Sequence, residues 1–491
     1  MKICLSLITL FILAFLLRFY LLPQNLFFGP EQGIDFQVIR DIVVNHKLTL
    51  IGSKTDISGI FHGPIYYYLA VLPFAISHGN PVIVSLFFII LNSLSVFFIY
   101  FLGKIIGGQR VGLIAAVILA FSFESIVYSR WLSSPPLAIP LSILFFYFFY
   151  RFINGSKRDL LFAAVTFGLL NQVEFLNIIF FFVIAFGLFV VFLKYFKKQN
   201  PIFITLCLLL GIGITIGTYV FFDLRHDFLI SKSLLSLIGG DTGYHTSLTQ
   251  TVSSVWNSEI RVFSRTIFPV SFIGSLILLL IELILLTTKI IKKEKNFYPL
   301  FIWFLFPIAL LIFSRHNILD QFFVSLISLF IILTALLIDF LWQNKKIIGL
   351  IALATICIVN LYTWWDWIPS NRNVFFQSTQ PGLRYADKIA TIDEIYKDID
   401  KKPFSFQSYT IPYWMQQGWQ YLFWSYGKKR YGYEPISQNA KSLYVIIQDD
   451  PSNKLFQSDW LKNTVSKWGK PVKTFKHGII TTIKLEVINE L

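Results

Sequence analysis

Residues 3–41 read "ICLSLITLFILAFLLRFYLLPQNLFFGPEQGIDFQVIRD", an apolar run that passes directly into a segment with two carboxylates. The run reaches about residue 22, and roughly 20 apolar residues are enough to cross a bilayer. It carries no small-residue cleavage site, so we predict a retained first span and not a signal peptide. Glu31 and Asp35 then open the segment that leaves the membrane.

The composition is that of a chain whose solvent is lipid. Of its 491 residues, 55% are hydrophobic and 14% are charged, and the mean hydropathy is +0.65. A water-soluble protein of this size does not bury so much apolar surface. We therefore predict an all-α polytopic membrane domain with about eleven transmembrane helices. The predicted spans lie at about 3–22, 81–105, 111–129, 135–153, 159–176, 178–194, 201–222, 266–288, 298–314, 320–342 and 346–363.

The positive charge predicts how these spans are oriented. The formal net charge is +15, and Lys and Arg cluster in short segments between the apolar runs. Such clusters are typical of cytoplasmic loops and not of a nucleic-acid surface. We predict a multi-pass protein of the cell membrane, surrounded by membrane lipids, with a cytoplasmic N-terminus and no nucleic-acid partner. The clusters lie at 107–110, 154–159, 194–200, 289–296 and 343–346.

The segments on the predicted outer side have more varied chemistry. The first outer loop covers about 23–80, and outer span ends carry Glu, Asp, Arg, His, Asn and Gln. Ionisable groups at membrane depth are expensive and by default mark a functional cavity. The functional face is therefore predicted to be the outer one.

The tail differs in composition from the rest of the chain. We divide the sequence into a membrane domain over 1–363 and a small outer domain over 364–491. Residues 442–450 and 479–487 are predicted to be strands, and residues 382–399 are predicted to be a helix. The tail is therefore predicted to be a small α/β extracytoplasmic domain.

The two carboxylates of the first loop are the main catalytic candidates. Gly29-Pro30 is a helix-start signal, and a helix over 30–45 places Glu31 and Asp35 within its apolar stripe. Burial there raises a carboxyl pKa, which suits a general base. The alternative is that Glu31 is a first-turn charge favoured by the helix dipole and Asp35 an interfacial polar residue.

Other polar residues of the outer segments are candidates for substrate binding. His62, within "GIFHGPIYYYL" (59–69), is either a phosphate or sugar ligand or an interfacial histidine. Arginine gives bidentate recognition of a lipid phosphate, although a cation at a span end also snorkels to the interface without a ligand. The cations at the outer span ends are Arg130, Arg225, His226, Arg315 and His316.

Taken together, these motifs resemble the GT-C fold glycosyltransferases. The resemblance rests on "EQGID" (31–35), the "GIFHGPIYYYL" segment, "YSRW" (128–131), residues 222–238 and residues 412–432. Within that fold the chain is most similar to protein O-mannosyltransferase-like and aminoarabinose-transferase-like enzymes, including RgtA/B/C/D-like transferases.

The resemblance implies a donor, an acceptor and two site positions. The donor is a sugar on a polyprenyl phosphate, and the acceptor is a glycan, a lipid or a protein. Glu31 occupies the position where the family usually has Asp, and it positions or deprotonates the acceptor with Asp35 beside it. At Gln172-Val173-Glu174 relatives often carry Gln-x-His, so Glu174 either lines the cavity or supplies a further carboxylate. A divalent metal is left open as a cofactor.

The expected reaction is an inverting displacement at the anomeric carbon, with a carboxylate base and cations on the departing lipid phosphate. The main alternative is a transporter or flippase of a lipid-linked or polar solute. Transporters often have repeated halves and broken helices, and the sequence shows neither pattern. A non-catalytic scaffold is a weaker alternative, because it does not explain carboxylates on an apolar stripe.

Overall fold

The computed structural model describes residues 2–55, 58–239, 247–314, 318–370, 382–411, 413–436 and 440–487. Helices dominate, and a four-stranded sheet lies near the C-terminus. The helices are α1 (Lys2–Phe19), α2 (Leu22–Asn25), α3 (Pro30–Val44), α4 (Ile65–Ser77), α5 (Pro81–Gly107), α6 (Gln109–Phe121), α7 (Phe123–Ser129), α8 (Ala138–Ile153), α9 (Asp159–Val173), α10 (Phe175–Val191), α11 (Leu193–Phe196), α12 (Pro201–Arg225), α13 (Leu229–Gly239), α14 (Leu248–Ile267), α15 (Phe272–Ile291), α16 (Tyr298–Ser314), α17 (Ile327–Asn344), α18 (Lys346–Ser370), α19 (Tyr385–Ile399), α20 (Gln417–Leu422), α21 (Lys428–Tyr431) and α22 (Lys454–Asn463). The strands are β1 (Ser405–Tyr409), β2 (Ser442–Gln448), β3 (Gly469–His477) and β4 (Ile480–Val487).

The predicted polytopic helical architecture is confirmed, with fewer full-length spans among the described residues than the eleven predicted. Within the described residues, eight helices are long and apolar enough to cross a membrane, or nine if α6 and α7 form one bent span. The predicted spans at 159–176 and 178–194 correspond to the shorter helices α9 and α10. The predicted span at 266–288 starts later, at Phe272, because residues 248–267 form the separate amphipathic helix α14.

The bend between α6 and α7 measures 59°, and two side chains stabilise it. The Ser122 hydroxyl accepts a hydrogen bond from the Ser125 backbone N–H and so caps α7. The Asn360 side chain accepts from the Phe123 N–H at 2.8 Å. Both side chains satisfy backbone donors that a helix start leaves open, so the chain ends one helix and starts another within the apolar run.

The C-terminal region is a mixed sheet with helices, as predicted. The strand order is β1-β2-β4-β3, with β1 parallel to β2 and the other pairs antiparallel. The expected strands at 442–450 and 479–487 are β2 and β4, and the expected helix at 382–399 is α19. Strands β1 and β3 were not predicted.

This region packs against the first loop of the membrane domain. The Lys388 ammonium donates to the Phe28 carbonyl oxygen at 2.6 Å. The Tyr421 hydroxyl donates to the carbonyl of Gly79 at 2.5 Å. The loop and the C-terminal region therefore lie on one face of the helical bundle, which we call the loop face and define by residues 26–80 and 382–487.

Candidate active site on the loop face

Helix α3 begins where the sequence predicted and is held in place by its neighbours. The Gln32 side chain accepts from the Gly29 N–H at 3.0 Å, and Pro30 fills the first turn, where its missing N–H costs nothing. Gly33 lies so close to α20 that an added Cβ would be 2.4 Å from the Gln417 carbonyl carbon. The C-terminal region thus sets the position of the helix that carries the acid pair.

Asp35 is buried as predicted, and its environment holds a proton near neutral pH. It is 3% exposed, and its Oδ1 accepts from the Tyr67 hydroxyl at 2.7 Å. Burial raises the pKa of Asp35 to about 7, with the tyrosine hydrogen bond acting against the shift and the charge of Glu31 adding to it. A carboxyl with this pKa exchanges protons readily at physiological pH.

Glu31 lies one helical turn before Asp35, but it is exposed and not buried as predicted. The helical periodicity of the sequence predicted that Glu31 and Asp35 lie on one side of the helix, and the two carboxyls do interact electrostatically. Because the face with Gly33 packs against α20, the Glu31 side chain is left toward solvent on the loop face. The pair therefore combines an accessible carboxylate with a buried one.

A second group forms where α9 meets α10. Glu174 has an extended backbone between the two helices and is buried. The Gly63 N–H donates to the Gln172 carbonyl at 2.8 Å, which brings the preceding residue, His62, to this break. The Nδ1 of His62 lies 3.7 Å from Glu174 Oε1. Three predicted site residues, His62, Gln172 and Glu174, are therefore neighbours in space.

The state of His62 follows from its burial. Burial lowers the pKa of His62 to about 4. The imidazole is thus neutral at pH 7. A neutral imidazole suits a sugar hydroxyl better than a phosphate.

A third group was not predicted from the sequence. Arg265 on α14 makes a bidentate pair with the buried Glu124 of α7, at 2.9 and 2.8 Å. It also contacts Asp320 at 3.0 Å, and Arg261 contacts the same carboxylate at 2.8 Å. Tyr128 interacts electrostatically with both this network and Glu174. The network therefore adjoins the second group.

The sequence did contain a signal for this network. Arg261 and Arg265 are four residues apart and share one face of a helix, while Glu124 is an acid inside an apolar run. Arg261 also lines an open cavity of about 400 Å³. The other described residues of its wall are hydroxyl and amide side chains of α14: Thr249, Gln250, Ser253, Ser254 and Asn257.

The remaining predicted cations have different surroundings. Arg130 is buried, and its Nη1 donates to the Arg18 and Tyr20 carbonyls, both at 2.8 Å, so it caps the end of α1. Arg225 is exposed at the end of α12. The His226 ring stacks on Phe222 with 4.0 Å between centroids. Arg315 and His316 lie outside the described residues.

Asp223, two residues before Arg225, has a structural role. Its carboxylate accepts from the Ile230 N–H at 2.7 Å and from the Ser231 N–H and hydroxyl at 2.9 and 2.6 Å. It caps α13, because the first N–H groups of a helix need acceptors.

No set of metal ligands emerges from the part of the chain that the structure describes. Within those ranges, no three His, Cys, Asp or Glu side chains are grouped to hold a metal ion. For the divalent metal considered in the sequence analysis, the described residues therefore provide no set of ligands.

Comparisons with known proteins identify the fold. Residues 61–217, about a third of the chain, match the family model described as dolichyl-phosphate-mannose-protein mannosyltransferase. That range contains the group at His62 and Glu174 and begins after the acid pair of α3. No curated protein sequence matches the chain significantly.

Solved structures resemble the whole chain. ArnT from Cupriavidus metallidurans bound to undecaprenyl phosphate has a TM-score of 0.60 over 98% of both chains, at 10% identity. Its apo form has a TM-score of 0.61 over 97% of both chains, at 11% identity. The Archaeoglobus fulgidus oligosaccharyltransferase in complex with Zn and sulfate has a TM-score of 0.52 at 13% identity, over 90% of this chain and 68% of its own. The protein has the GT-C fold, as the sequence motifs predicted.

Proposed function

We propose that the protein is a membrane glycosyltransferase that moves a sugar from a polyprenyl-phosphate donor to a hydroxyl of a glycan, lipid or protein acceptor. The observation that carries this proposal is the acid pair of α3. An exposed carboxylate, Glu31, stands one turn from a buried carboxyl, Asp35, on the loop face of a GT-C fold.

The donor class is supported by the relatives. One similar structure holds undecaprenyl phosphate, and the matching family is described by dolichyl-phosphate-mannose. Both carriers are polyprenyl phosphates, and a lipid carrier enters a membrane-embedded site from the bilayer. We place the loop face on the outer side of the cell membrane, because the basic segments lie between spans at the opposite end.

In the proposed reaction, Glu31 takes the proton of the acceptor hydroxyl. The oxygen then attacks the anomeric carbon, the bond from that carbon to the phosphate oxygen breaks, and the configuration inverts. Asp35 accepts a hydrogen bond from the Tyr67 hydroxyl, and its protonation state determines the charge next to Glu31. A positioned base contributes about 10²–10⁴-fold to such a step.

The departing polyprenyl phosphate requires cationic partners. Arg225 is exposed at the end of α12, where Phe222 packs against Phe61 of the first loop, and the Arg261 side chain is 46% exposed beside the hydroxyl-lined cavity. Arginine matches the oxygen geometry of a phosphate through paired N–H donors. We assign phosphate stabilisation to these two residues and sugar-hydroxyl recognition to the neutral His62.

The proposal is tested with the full-length protein in proteoliposomes, supplied with labelled polyprenyl-phosphate sugars and candidate acceptors. We expect the wild type to form glycosylated acceptor and Glu31→Gln to lose at least a hundredfold in rate while inserting and folding normally. Glu394→Gln, which changes a half-buried carboxylate of α19 that pairs with Lys473 of β3, is the matched control and should keep its rate. Full activity of Glu31→Gln would contradict the role of Glu31. Movement of intact donor across the bilayer without product would instead indicate a flippase.

A further inference from the structure

A second cavity lies at the end of the bundle opposite to the loop face. It has a volume of about 530 Å³, within the range of small-ligand sites. Helix α5 starts near the first loop and ends at Gly107, which lines this cavity together with the C-terminal parts of α15 and α17. The cavity is therefore separate from the candidate active site and does not depend on the proposed function.

The inner wall of the cavity carries a buried acid with an unsatisfied oxygen. Glu282 is 1% exposed, and its Oε1 accepts from the Thr334 hydroxyl at 2.7 Å. Its Oε2 is buried and has no hydrogen-bond partner among the residues that the structure describes. A carboxyl at membrane depth is costly, and an unsatisfied oxygen adds to the cost, so a ligand that donates a hydrogen bond there would be favoured.

The other carboxylates of the wall already have partners. Asp339 accepts from Arg110 at 3.1 Å and from Gln343 at 2.6 Å. Glu294 pairs with Lys289 at 3.0 Å. Within the described residues of the lining, Glu282 is therefore the acid that needs a cationic or N–H donor.

The mouth of the cavity has the opposite charge. Lys289, Lys293 and Lys295 line it, and Phe340, which also lines the cavity, is 50% exposed. A simple cation would be repelled by the lysines, and a simple anion would be repelled by the acid. A ligand that places a cationic group at Glu282 and an anionic group at the lysines is attracted at both ends.

The acid and the lysines lie at different depths of the cavity. Glu282 and Lys289 are seven residues apart on α15, about 10.5 Å along the helix axis. Leucines between the two polar ends, Leu285, Leu286, Leu333 and Leu336, supply an apolar wall for an attached chain.

We propose that this cavity binds an ammonium-phosphate zwitterion, with a primary ammonium on Glu282 and the phosphate among Lys289, Lys293 and Lys295. The same chemistry has two sources, the headgroup of an ethanolamine phospholipid and free phosphoethanolamine. Because Phe340 lines the cavity and is half exposed, the site is accessible from the surface of the helical bundle.

The test uses delipidated full-length protein and measures binding by native mass spectrometry and by the shift in Tm. The added compounds are phosphatidylethanolamine, phosphatidylcholine, phosphatidylglycerol and free phosphoethanolamine. We expect phosphatidylethanolamine to bind at least tenfold more tightly than the choline lipid, which lacks N–H donors, and than the glycerol lipid, which lacks the ammonium. If free phosphoethanolamine binds and the lipids do not, the site is supported and its ligand is the soluble compound. Equal binding of all three lipids, without binding of free phosphoethanolamine, would overturn the proposal.

Variants separate this site from general lipid binding. Glu282→Gln should lose the preference for the ethanolamine lipid. Glu259→Gln is the matched control, because Glu259 is also a buried acid without a partner among the described residues, yet it does not line this cavity. If Glu282→Gln does not fold, Lys295→Gln, at an exposed position, should weaken binding of the ethanolamine lipid severalfold. An unchanged preference in Glu282→Gln, or unchanged binding in Lys295→Gln where the first variant does not fold, would overturn the proposal.

Discussion

At the scale of single residues, the acid pair shows what helical phase can and cannot predict. The phase of α3 correctly predicted that Asp35 is buried, because the residues that share its stripe are apolar. It did not predict that Glu31 is exposed. That outcome depends on Gly33 packing against Gln417, nearly 400 residues later in the chain. No local pattern contains such a contact.

The raised pKa of Asp35 predicts a pH-dependent stability. Because its pKa is raised from 3.8 to about 7 in the folded protein, ionising Asp35 costs free energy of folding. Its contribution to stability is therefore greatest below about pH 4 and is lost as the pH rises through 7. We expect Asp35→Asn to have a higher Tm than the wild type at pH 8 and a smaller advantage at pH 5. The same Tm difference at both pH values would contradict the burial of an ionisable Asp35.

The same group predicts a pH profile for the transfer rate. Glu31 takes the acceptor proton more readily when Asp35 beside it is ionised, so the rate should fall as the pH drops below 7 and Asp35 becomes protonated. In Asp35→Asn the pH profile of the transfer rate should no longer have an inflection near pH 7, and the rate should be lower than that of the wild type at every pH. The rate of sugar transfer from pH 5 to pH 9 measures this, and an unshifted inflection in the variant would assign the titration to another group.

The network of Arg265 predicts a large loss of stability when it is broken on one side. Arg265→Met leaves Glu124 buried and unpaired, and removal of one partner of a buried pair costs about 3–5 kcal/mol. The double variant Arg265→Met/Glu124→Gln should lose less than the sum of the two single variants. Denaturant unfolding in detergent measures the cycle, and additive losses would mean that the two side chains do not act together.

At the scale of elements, the breaks within apolar runs were harder to predict than the runs. Residues 111–129 are apolar enough for one span, yet α6 and α7 meet at 59°. The cap from Asn360 that stabilises the bend comes from another helix. Glu174, by contrast, interrupts its run as a visible acid, and its position between α9 and α10 matches that signal.

The contact between α3 and α20 predicts the effect of an added methyl group. A Cβ on Gly33 would meet the backbone of Gln417 and Gly418 at 2.4 Å, so one helix must move. We expect Gly33→Ala to cost about 1–3 kcal/mol. The shift of the acid pair should also slow transfer at least tenfold, because catalysis requires close positioning.

A glycine of α12 offers the matched control. A Cβ on Gly213 would meet nothing within 4 Å, and Ala favours a helix over Gly by roughly 1 kcal/mol. Gly213→Ala should therefore be neutral or stabilising and keep the transfer rate. Equal effects of Gly33→Ala and Gly213→Ala on Tm and rate would show that the α3–α20 contact does not position the site.

At the scale of the whole molecule, hydropathy alone predicted the polytopic bundle and the change to an α/β tail. Burial in lipid imposes long apolar helices, which leave a strong signal in the sequence. The tail was only partly predictable. Strand β3 carries three lysines and one histidine among its nine residues, so it lacks the alternation of apolar and polar residues that predicts a strand. The docking of the tail on the first loop depends on tertiary contacts that no periodicity reveals.

The central claim is that the protein transfers a sugar from a polyprenyl phosphate. The most direct measurement is mass spectrometry of both products after incubation of the wild-type protein, in proteoliposomes, with a defined polyprenyl-phosphate sugar and an acceptor. We predict one free polyprenyl phosphate for each acceptor that gains a sugar. Donor that crosses the bilayer intact, with no free polyprenyl phosphate and no glycosylated acceptor, would contradict the claim.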